Sequence, residues 1–417
     1  MLNRRDFVGT LLTTLCACII LLVPSLLIAQ NDIIKPADRV VNSVSVREAP
    51  SSNSALIGQL LKGHEALLLL DVPSWYKVRL PDGTEGFVSK AWTVRVTAPV
   101  PPLSADIPFT IHFLDVGTGD AAIVDIGDRE IIIDGGNSPT VLGNYVRDRN
   151  IIDGPVELVV VTHGDADHWK GLNRLMNFDG HGASPPEVLE FWDPGYDRTC
   201  NPASDGGRLS YLAFIDRFRS LSLVFRRPLA QFHPPADQTG QVQPFTLTSL
   251  PGVTFTVLHA AANPLSDNSE CSYLINNSSI VMKLQIGTST ILFPGDANGK
   301  ERNDSNATLV GHVEAALLQL EATFPGTLKT DILKVPHHGS ETASTIPFIE
   351  KTNPQFAIIS ASTLHHLPKE TVVHRYESPT RVILRTDDHA PSNEDHIVCK
   401  KKVGVPLDCN YESVFIE

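Results

Sequence analysis

One short segment constrains this chain more than any other, Leu158-Val159-Val160-Val161-Thr162-His163-Gly164-Asp165-Ala166-Asp167-His168. Its apolar half has the length and β-branched character of a strand buried on both faces. The strand then stops, and two imidazoles and two carboxylates follow within six residues. Such a crowd of polar and charged groups is left uncompensated unless a cation sits among them. Mixed nitrogen and oxygen donors suit a pair of divalent ions such as Zn²⁺ or Mn²⁺. A fold built around this loop has to bring further ligands to the same point, and two later segments repeat its grammar. Ser289-Thr290-Ile291-Leu292-Phe293 leads into Pro294-Gly295-Asp296, whose carboxylate has two oxygens with which to bridge two metals. Asp331-Ile332-Leu333-Lys334-Val335 leads into Pro336-His337-His338-Gly339-Ser340.

The surrounding pattern is that of a sheet-rich α/β domain running from about residue 107 to 417. Runs such as Ile111-His112-Phe113-Leu114, Ala121-Ala122-Ile123-Val124 and Ile131-Ile132-Ile133 lead into Asp, Gly or His. Buried strands with their polar residues gathered at one edge have this appearance. Helical patterns are expected from Ser138 to Arg147 and from His312 to Phe324. Residues 178–244, rich in Gly, Pro and Asp, are expected to form an irregular insertion.

Residues 38–96 have a different texture. Val44-Ser45-Val46-Arg47 alternates, Ala49-Pro50-Ser51-Ser52 marks a turn, and Leu67 to Leu70 and Trp75-Tyr76-Lys77-Val78 are further strand runs. Pro81-Asp82-Gly83 turns the chain before Gly86-Phe87-Val88. Short strands with turns at this spacing predict a small all-β barrel, and the combination resembles the bacterial SH3-like domain. That resemblance implies an accessory module for a cell-wall or peptide ligand, or a folded spacer. Residues 97–106, with Pro99, Pro101 and Pro102, form a stiff linker.

Residues 1–30 have the character of an address. Arg4-Arg5, Phe7 and Gly9 precede an apolar stretch from Leu11 to Ala29, as in an export signal of the twin-arginine kind. The stretch is also near the ~20 residues that span a bilayer, so cleavage and anchoring both stay open. Either way the expected location is exported, periplasmic or extracellular. Beyond the signal lie Cys200, Cys271, Cys399 and Cys409 with no Cys-x-x-Cys spacing, which excludes a zinc ribbon. Cys399 and Cys409 either close a hairpin as a disulfide or remain thiols. The net charge of -13 argues against a protein that coats nucleic acid. It does not exclude a phosphodiesterase, because metal ions set the local field of such a site.

Taken together, His163-x-Asp165-x-Asp167-His168, Gly295-Asp296 and His337-His338-Gly339-Ser340 resemble the metallo-β-lactamase superfamily. The likeness is strongest to the soluble hydrolase domain of the ComEC competence proteins. Phe113-Leu114-Asp115-Val116-Gly117-Thr118-Gly119-Asp120-Ala121, Ile133-Asp134-Gly135-Gly136, the strand from Asn276 to Leu284 and Arg385-Thr386-Asp387 extend it over residues 109–390. The resemblance implies an αββα sandwich following the SH3-like barrel. It implies two divalent metal ions, Zn²⁺ or Mn²⁺, one on His163, Asp165 and Asp296, the other on Asp167, His168, Asp296 and His338. Asp165, where the superfamily's commonest loop has an imidazole, hardens the site toward Mn²⁺. Asp134 is expected to brace the loop, and Asp115 and Asp120 to support it from behind. Catalytic roles fall to Asp167 as proton acceptor and to His337 and His365 or His366 as groups for phosphate or the leaving group. His259 is expected to be a satisfied edge residue. The implied reaction is hydrolysis by a water activated between the metals, with a phosphodiester substrate, either nucleic acid or an envelope polymer. Lactones, lactams and phosphorylcholine-type esters are the alternative substrates, and a wall-binding protein with a vestigial metal site is the alternative function.

Overall fold

The computed structural model describes residues 32–72, 74–80, 83–97, 106–177, 184–222, 224–226, 245–246, 250, 252–264, 270–362, 366–387 and 396–412. The expected export signal, most of the expected linker, and His365 lie outside the described residues.

The N-terminal part contains strands β1 (Asp32–Pro36), β2 (Ser43–Arg47), β3 (Leu56–Leu61), β4 (Ala66–Val72), β5 (Trp75–Arg79), β6 (Glu85–Ser89) and β7 (Thr93–Thr97). They form one antiparallel sheet in the order β3-β2-β6-β5-β4-β1-β7. Alternation of side chains along each strand sends Ile34, Val44, Val46, Leu60, Val78 and Val88 to one core. Gly86 has no substitute there, since a Cβ would stand 2.6 Å from Val46 and 2.7 Å from the Arg47 carbonyl.

Two stacked sheets make up the second part. Its strands are β8 (Phe109–Phe113), β9 (Ala122–Asp125), β10 (Glu130–Ile133), β11 (Val156–Val160), β12 (Val188–Trp192), β13 (Val224–Arg226), β14 (Phe245–Thr246), β15 (Val253–His259), β16 (Val281–Ile286), β17 (Ser289–Phe293), β18 (Ile332–Lys334), β19 (Phe356–Ile359), β20 (Val382–Arg385), β21 (Ile397–Lys401) and β22 (Asp408–Tyr411). The first sheet runs β13-β12-β11-β10-β9-β8-β21-β22, the second β14-β15-β16-β17-β18-β19-β20. Their inner faces share one core, in which Phe113 meets Phe293 and Trp192 meets Phe255. Each outer face carries helices. Leu142, Leu172, Phe214 and Phe218 cover the first sheet, while Val313, Phe348 and Val372 cover the second. The layers are therefore α, β, β, α, as expected. Among the described residues no helix is long and apolar enough to cross a membrane.

The expected irregular insertion is partly regular. It contains β12, β13 and a sixteen-residue helix, Gly206–Leu221. That helix buries Tyr211, Phe214, Ile215 and Phe218, an i, i+3, i+4, i+7 stripe. Asp205 caps it by accepting from the Arg208 amide at 2.7 Å, and Phe218 stacks on Phe191 at 4.3 Å. Flanking Gly and Asp residues conceal the stripe in the sequence. The helix expected at Ser138 starts later, at Val141, and that expected at His312 runs from His312 to Thr323.

Cys399 and Cys409 face one another across β21 and β22 and are bonded. Cys200 and Cys271, 71 residues apart, form a second disulfide that no sequence spacing indicates.

Candidate metal centre

Parallel strands deliver the candidate ligands, because the chain leaves the ends of β10, β11, β17 and β18 at one rim between the sheets. Asp134 follows β10. One of its oxygens accepts from the Thr162 amide at 2.8 Å, the other from the Thr162 hydroxyl and His168 Nδ1, both at 2.7 Å. It braces the loop after β11, and both its oxygens are taken. The Thr162 hydroxyl in turn accepts from His163 Nδ1 at 3.2 Å. His163 and His168 are thus held by Nδ1 and present Nε2.

The third imidazole comes from the turn Pro336–Gly339, where His337 and His338 both have left-handed backbone (φ 50° and 53°). Two successive non-glycine residues in that region store roughly 1–3 kcal/mol each, strain that is found mainly at functional sites. His338 Nδ1 donates to the Ser360 carbonyl at 3.0 Å and lies 3.0 Å from Asp120 Oδ1, which leaves Nε2 presented. Asp120 is gripped from behind by the buried Lys334 ammonium at 2.5 Å. Burial would raise the Asp120 carboxyl, but Lys334 and His338 hold it down at about 2.

All three Nε2 atoms converge on Asp296. His338 Nε2 lies 3.3 Å and His163 Nε2 3.8 Å from its Oδ2, and His168 Nε2 lies 3.4 Å from its Oδ1. The Nε2 atoms of His168 and His338 are 3.3 Å apart. Asp167 Oδ2 stands 3.8 Å from His338 Nε2. Burial would lower His168 and His338, yet Asp296 outweighs it, lifting His168 well above its ordinary value and His338 to about 10. The same attraction overrides the upward push of burial on Asp296 and holds it well below the carboxylate range. His163, with burial and the His168 charge both against it, is pushed well down.

This donor set fits divalent cations. His163 Nε2 and Asp296 Oδ1 are buried without a hydrogen-bond partner, and the Nε2 atoms of His168 and His338 face each other at 3.3 Å. Among the described residues, four groups of three potential ligand atoms lie close enough together to hold an ion, and they draw on His163, His168, Asp296, Asp167, His338, Asp120 and Asp134.

Asp165 and His337 stand at the edge of the cluster, the latter with Nε2 3.9 Å from Asp296 Oδ2. Asp165 Oδ2 is 3.8 Å from His163 Nε2, while Oδ1 is engaged by Arg198 at 3.0 Å. His337 Nδ1 pairs with the Thr342 hydroxyl at 2.8 Å and Nε2 with the Asn276 amide at 3.3 Å. Burial pushes His337 down to about 4. His366 is exposed, outside the cluster. Asp115 accepts from the Gly117 amide within its own turn, and His259 is satisfied by the Asn277 carbonyl at 2.9 Å. Sequence reasoning missed Lys334, Arg198 and Asn276. Lys334 alone leaves a signal, a single charge inside Ile332-Leu333-Lys334-Val335.

Residues 114–362, more than half of the chain, match the family model described as the metallo-beta-lactamase superfamily. The chain belongs to the metallo-beta-lactamase superfamily. Residues 42–94 match the model for the bacterial SH3 domain, so this superfamily member carries an SH3 domain ahead of its metal-dependent hydrolase domain. It is 36% identical over 104 residues to the uncharacterized protein YcaI of Escherichia coli K12, covering 24% of this chain and 12% of that one. It is 29% identical over 116 residues to ComE operon protein 3 of Bacillus subtilis, covering 27% and 13%. The superfamily chain thus spans about an eighth of these relatives. Among solved structures it resembles the metallo-beta-lactamase fold protein YhfI of Bacillus subtilis, at 11% identity and a TM-score of 0.36, over 66% of this chain and 95% of that one.

Proposed function

We propose that this chain is an exported phosphodiesterase working with two divalent cations, Mn²⁺ or Zn²⁺. One is assigned to His163, Asp165 and Asp296, the other to Asp167, His168, Asp296 and His338. The observation that carries this reading is the convergence of three oriented imidazole Nε2 atoms on one buried carboxylate. When bound, such a pair of cations lowers the pKa of water toward neutrality and offsets charge on the scissile group. The carboxylate-rich donor set favours a hard ion such as Mn²⁺, and the motif likeness to the competence hydrolase domain favours phosphodiesters over lactams.

The chain's own side chains supply orientation and proton handling. Asp167, part-exposed at the rim, accepts the proton of the attacking water. His337 is kept neutral by burial and is held between Thr342 and Asn276, where it faces an incoming phosphoryl group. His366, itself exposed, stands three residues before Lys369, whose amide bonds the Gly339 carbonyl at 3.0 Å, and it is the candidate contact for the far side of a large substrate. Two disulfides, together with Arg4-Arg5 and the apolar stretch after them, support an oxidising, exported location. The SH3 domain is assigned a cell-wall or peptide ligand.

The test is hydrolysis of bis(p-nitrophenyl) phosphate by the full chain with Mn²⁺ or Zn²⁺, beside Asp167→Ala. Metal-dependent turnover is expected, reduced at least ~100-fold in the variant, as for loss of a general base. Folded, metal-loaded protein without turnover would refute the phosphodiesterase reading and bring lactone, lactam and ester substrates forward.

A further inference from the structure

Asp165 differs from the other candidate ligands in being gripped from outside. Arg198, part-buried in the loop after β12, donates Nη1 both to Asp165 Oδ1 at 3.0 Å and to the Gly164 carbonyl. Its stem lies along Gly164, where a Cβ would stand 3.1 Å from Arg198 Cγ. Arg198 Nε reaches Asn201 Oδ1 at 3.4 Å, and its own backbone is left-handed, with φ at 52°. A non-glycine residue in this region is strained, so this loop needs constraints of its own. Two are present. The Cys200 amide donates to the Tyr196 hydroxyl at 3.0 Å, and Cys200 is bonded to Cys271 at the start of the helix Cys271–Asn277. That same helix carries Asn276, which touches His337.

We propose that the disulfide-pinned segment Tyr196–Asn201 is a brace, and that Arg198 is a positioning residue that makes Asp165 a single-oxygen ligand. With Oδ1 engaged by the guanidinium, only Oδ2 is turned toward His163 Nε2, at 3.8 Å. The disulfide ties the loop after β12 of the first sheet to the helix between β15 and β16 of the second. Both flanks of the rim, Asp165 and His337, are therefore set by one covalent link. The inference rests on the assignment of Asp165 as a metal ligand, and it makes binding of that metal dependent on an oxidised Cys200–Cys271 pair.

The experiment is a chelator-competition titration with Mn²⁺ on the full chain, comparing Asp165→Ala, Arg198→Ala, Arg198→Lys and the double variant Cys200→Ser/Cys271→Ser. Thermal unfolding of the metal-free proteins serves as the fold control. The parent is expected to bind two equivalents and Asp165→Ala one. Arg198→Ala and the cysteine pair variant are expected to weaken that same equivalent about 10–100-fold, as is usual when a group that orients a ligand is removed. Arg198→Lys keeps the charge and is expected to recover part of the affinity. If Asp165→Ala loses an equivalent while Arg198→Ala and the cysteine variant bind like the parent, the brace is refuted. If Asp165→Ala itself binds two equivalents, the ligand assignment fails, and the brace with it. Should Arg198→Ala not fold, the Arg198→Lys and cysteine variants read the same equivalent.

Discussion

At the scale of single residues, orientation is the recurring work. Each of the three converging imidazoles is fixed through Nδ1, by the Thr162 hydroxyl, by Asp134, or by Ser360 and Asp120. The pair behind His338 is the most exacting, because Lys334 and Asp120 are both almost fully buried and 2.5 Å apart. Removing one partner of such a pair leaves an uncompensated charge, which costs roughly 3–5 kcal/mol. Lys334→Met is therefore expected to destabilise the metal-free protein by about that amount. It is also expected to weaken metal binding at His338, since Asp120 loses the cation that holds it. Lys334→Met/Asp120→Asn is expected to recover part of the stability. Urea denaturation of the three metal-free proteins reads the stability and a metal titration the binding, and equal stability of parent and single variant would refute the role given to the pair.

At the scale of elements, the helix His312–Thr323 is tied to the start of the helix Ile346–Thr352 by one buried carboxylate. Glu314 accepts from the amides of Ser344 and Thr345 at 2.6 and 3.0 Å and from the Thr345 hydroxyl at 2.5 Å. Burial nevertheless pushes it from the ordinary 4.5 up to about 7. A carboxyl raised in the folded state holds its proton after the unfolded chain has released its own. Its contribution is whole below about pH 4.5 and is lost as pH rises through about 7. Glu314→Gln removes this titration. The stability advantage of the parent over the variant is expected to shrink between about pH 5 and pH 8, by an amount on the order of 2–3 kcal/mol. A difference that stays constant, or grows with pH, would overturn this account.

At the scale of the whole molecule, the first sheet is completed by a strand pair from the far end of the sequence. β21 pairs with β8, and its Cys399 is bonded to Cys409 of β22 inside the core between the sheets. Closing a loop of 10 residues contributes about 2–3 kcal/mol through the unfolded state. Cys399→Ser/Cys409→Ser is expected to lose that much or more, since two hydroxyls would then enter an apolar core. Its metal stoichiometry is expected to stay at two, because this hairpin lies at the β8 edge of the first sheet, away from β11 and the loop that follows it. Calorimetry and metal titration on the same sample check both halves of the expectation.

Some of this was written in local pattern. A buried β-run followed by His, Asp or Gly-Asp is visible residue by residue, so the strand ends at Thr162, Pro294 and Val335, and the ligand types beyond them, were legible from one sequence. The αββα layering followed from the same runs through their resemblance to a known superfamily. The helix Gly206–Leu221 was legible in principle, but its apolar stripe lies between turn-forming residues that pointed to a loop. Other features depend on residues far apart in the chain and had no local trace. Arg198 meets Asp165 across 33 residues, Cys200 meets Cys271 across 71, and Lys334 meets Asp120 between two different sheets. That His338 is held through Nδ1 and presents Nε2 to Asp296 is decided by the Ser360 carbonyl, a group that only the packed sheets bring within hydrogen-bond reach. The sequence by itself determined which chemical groups stand at the rim. The tertiary structure decided how they point, because orientation here is a property of buried pairs whose partners come from distant strands.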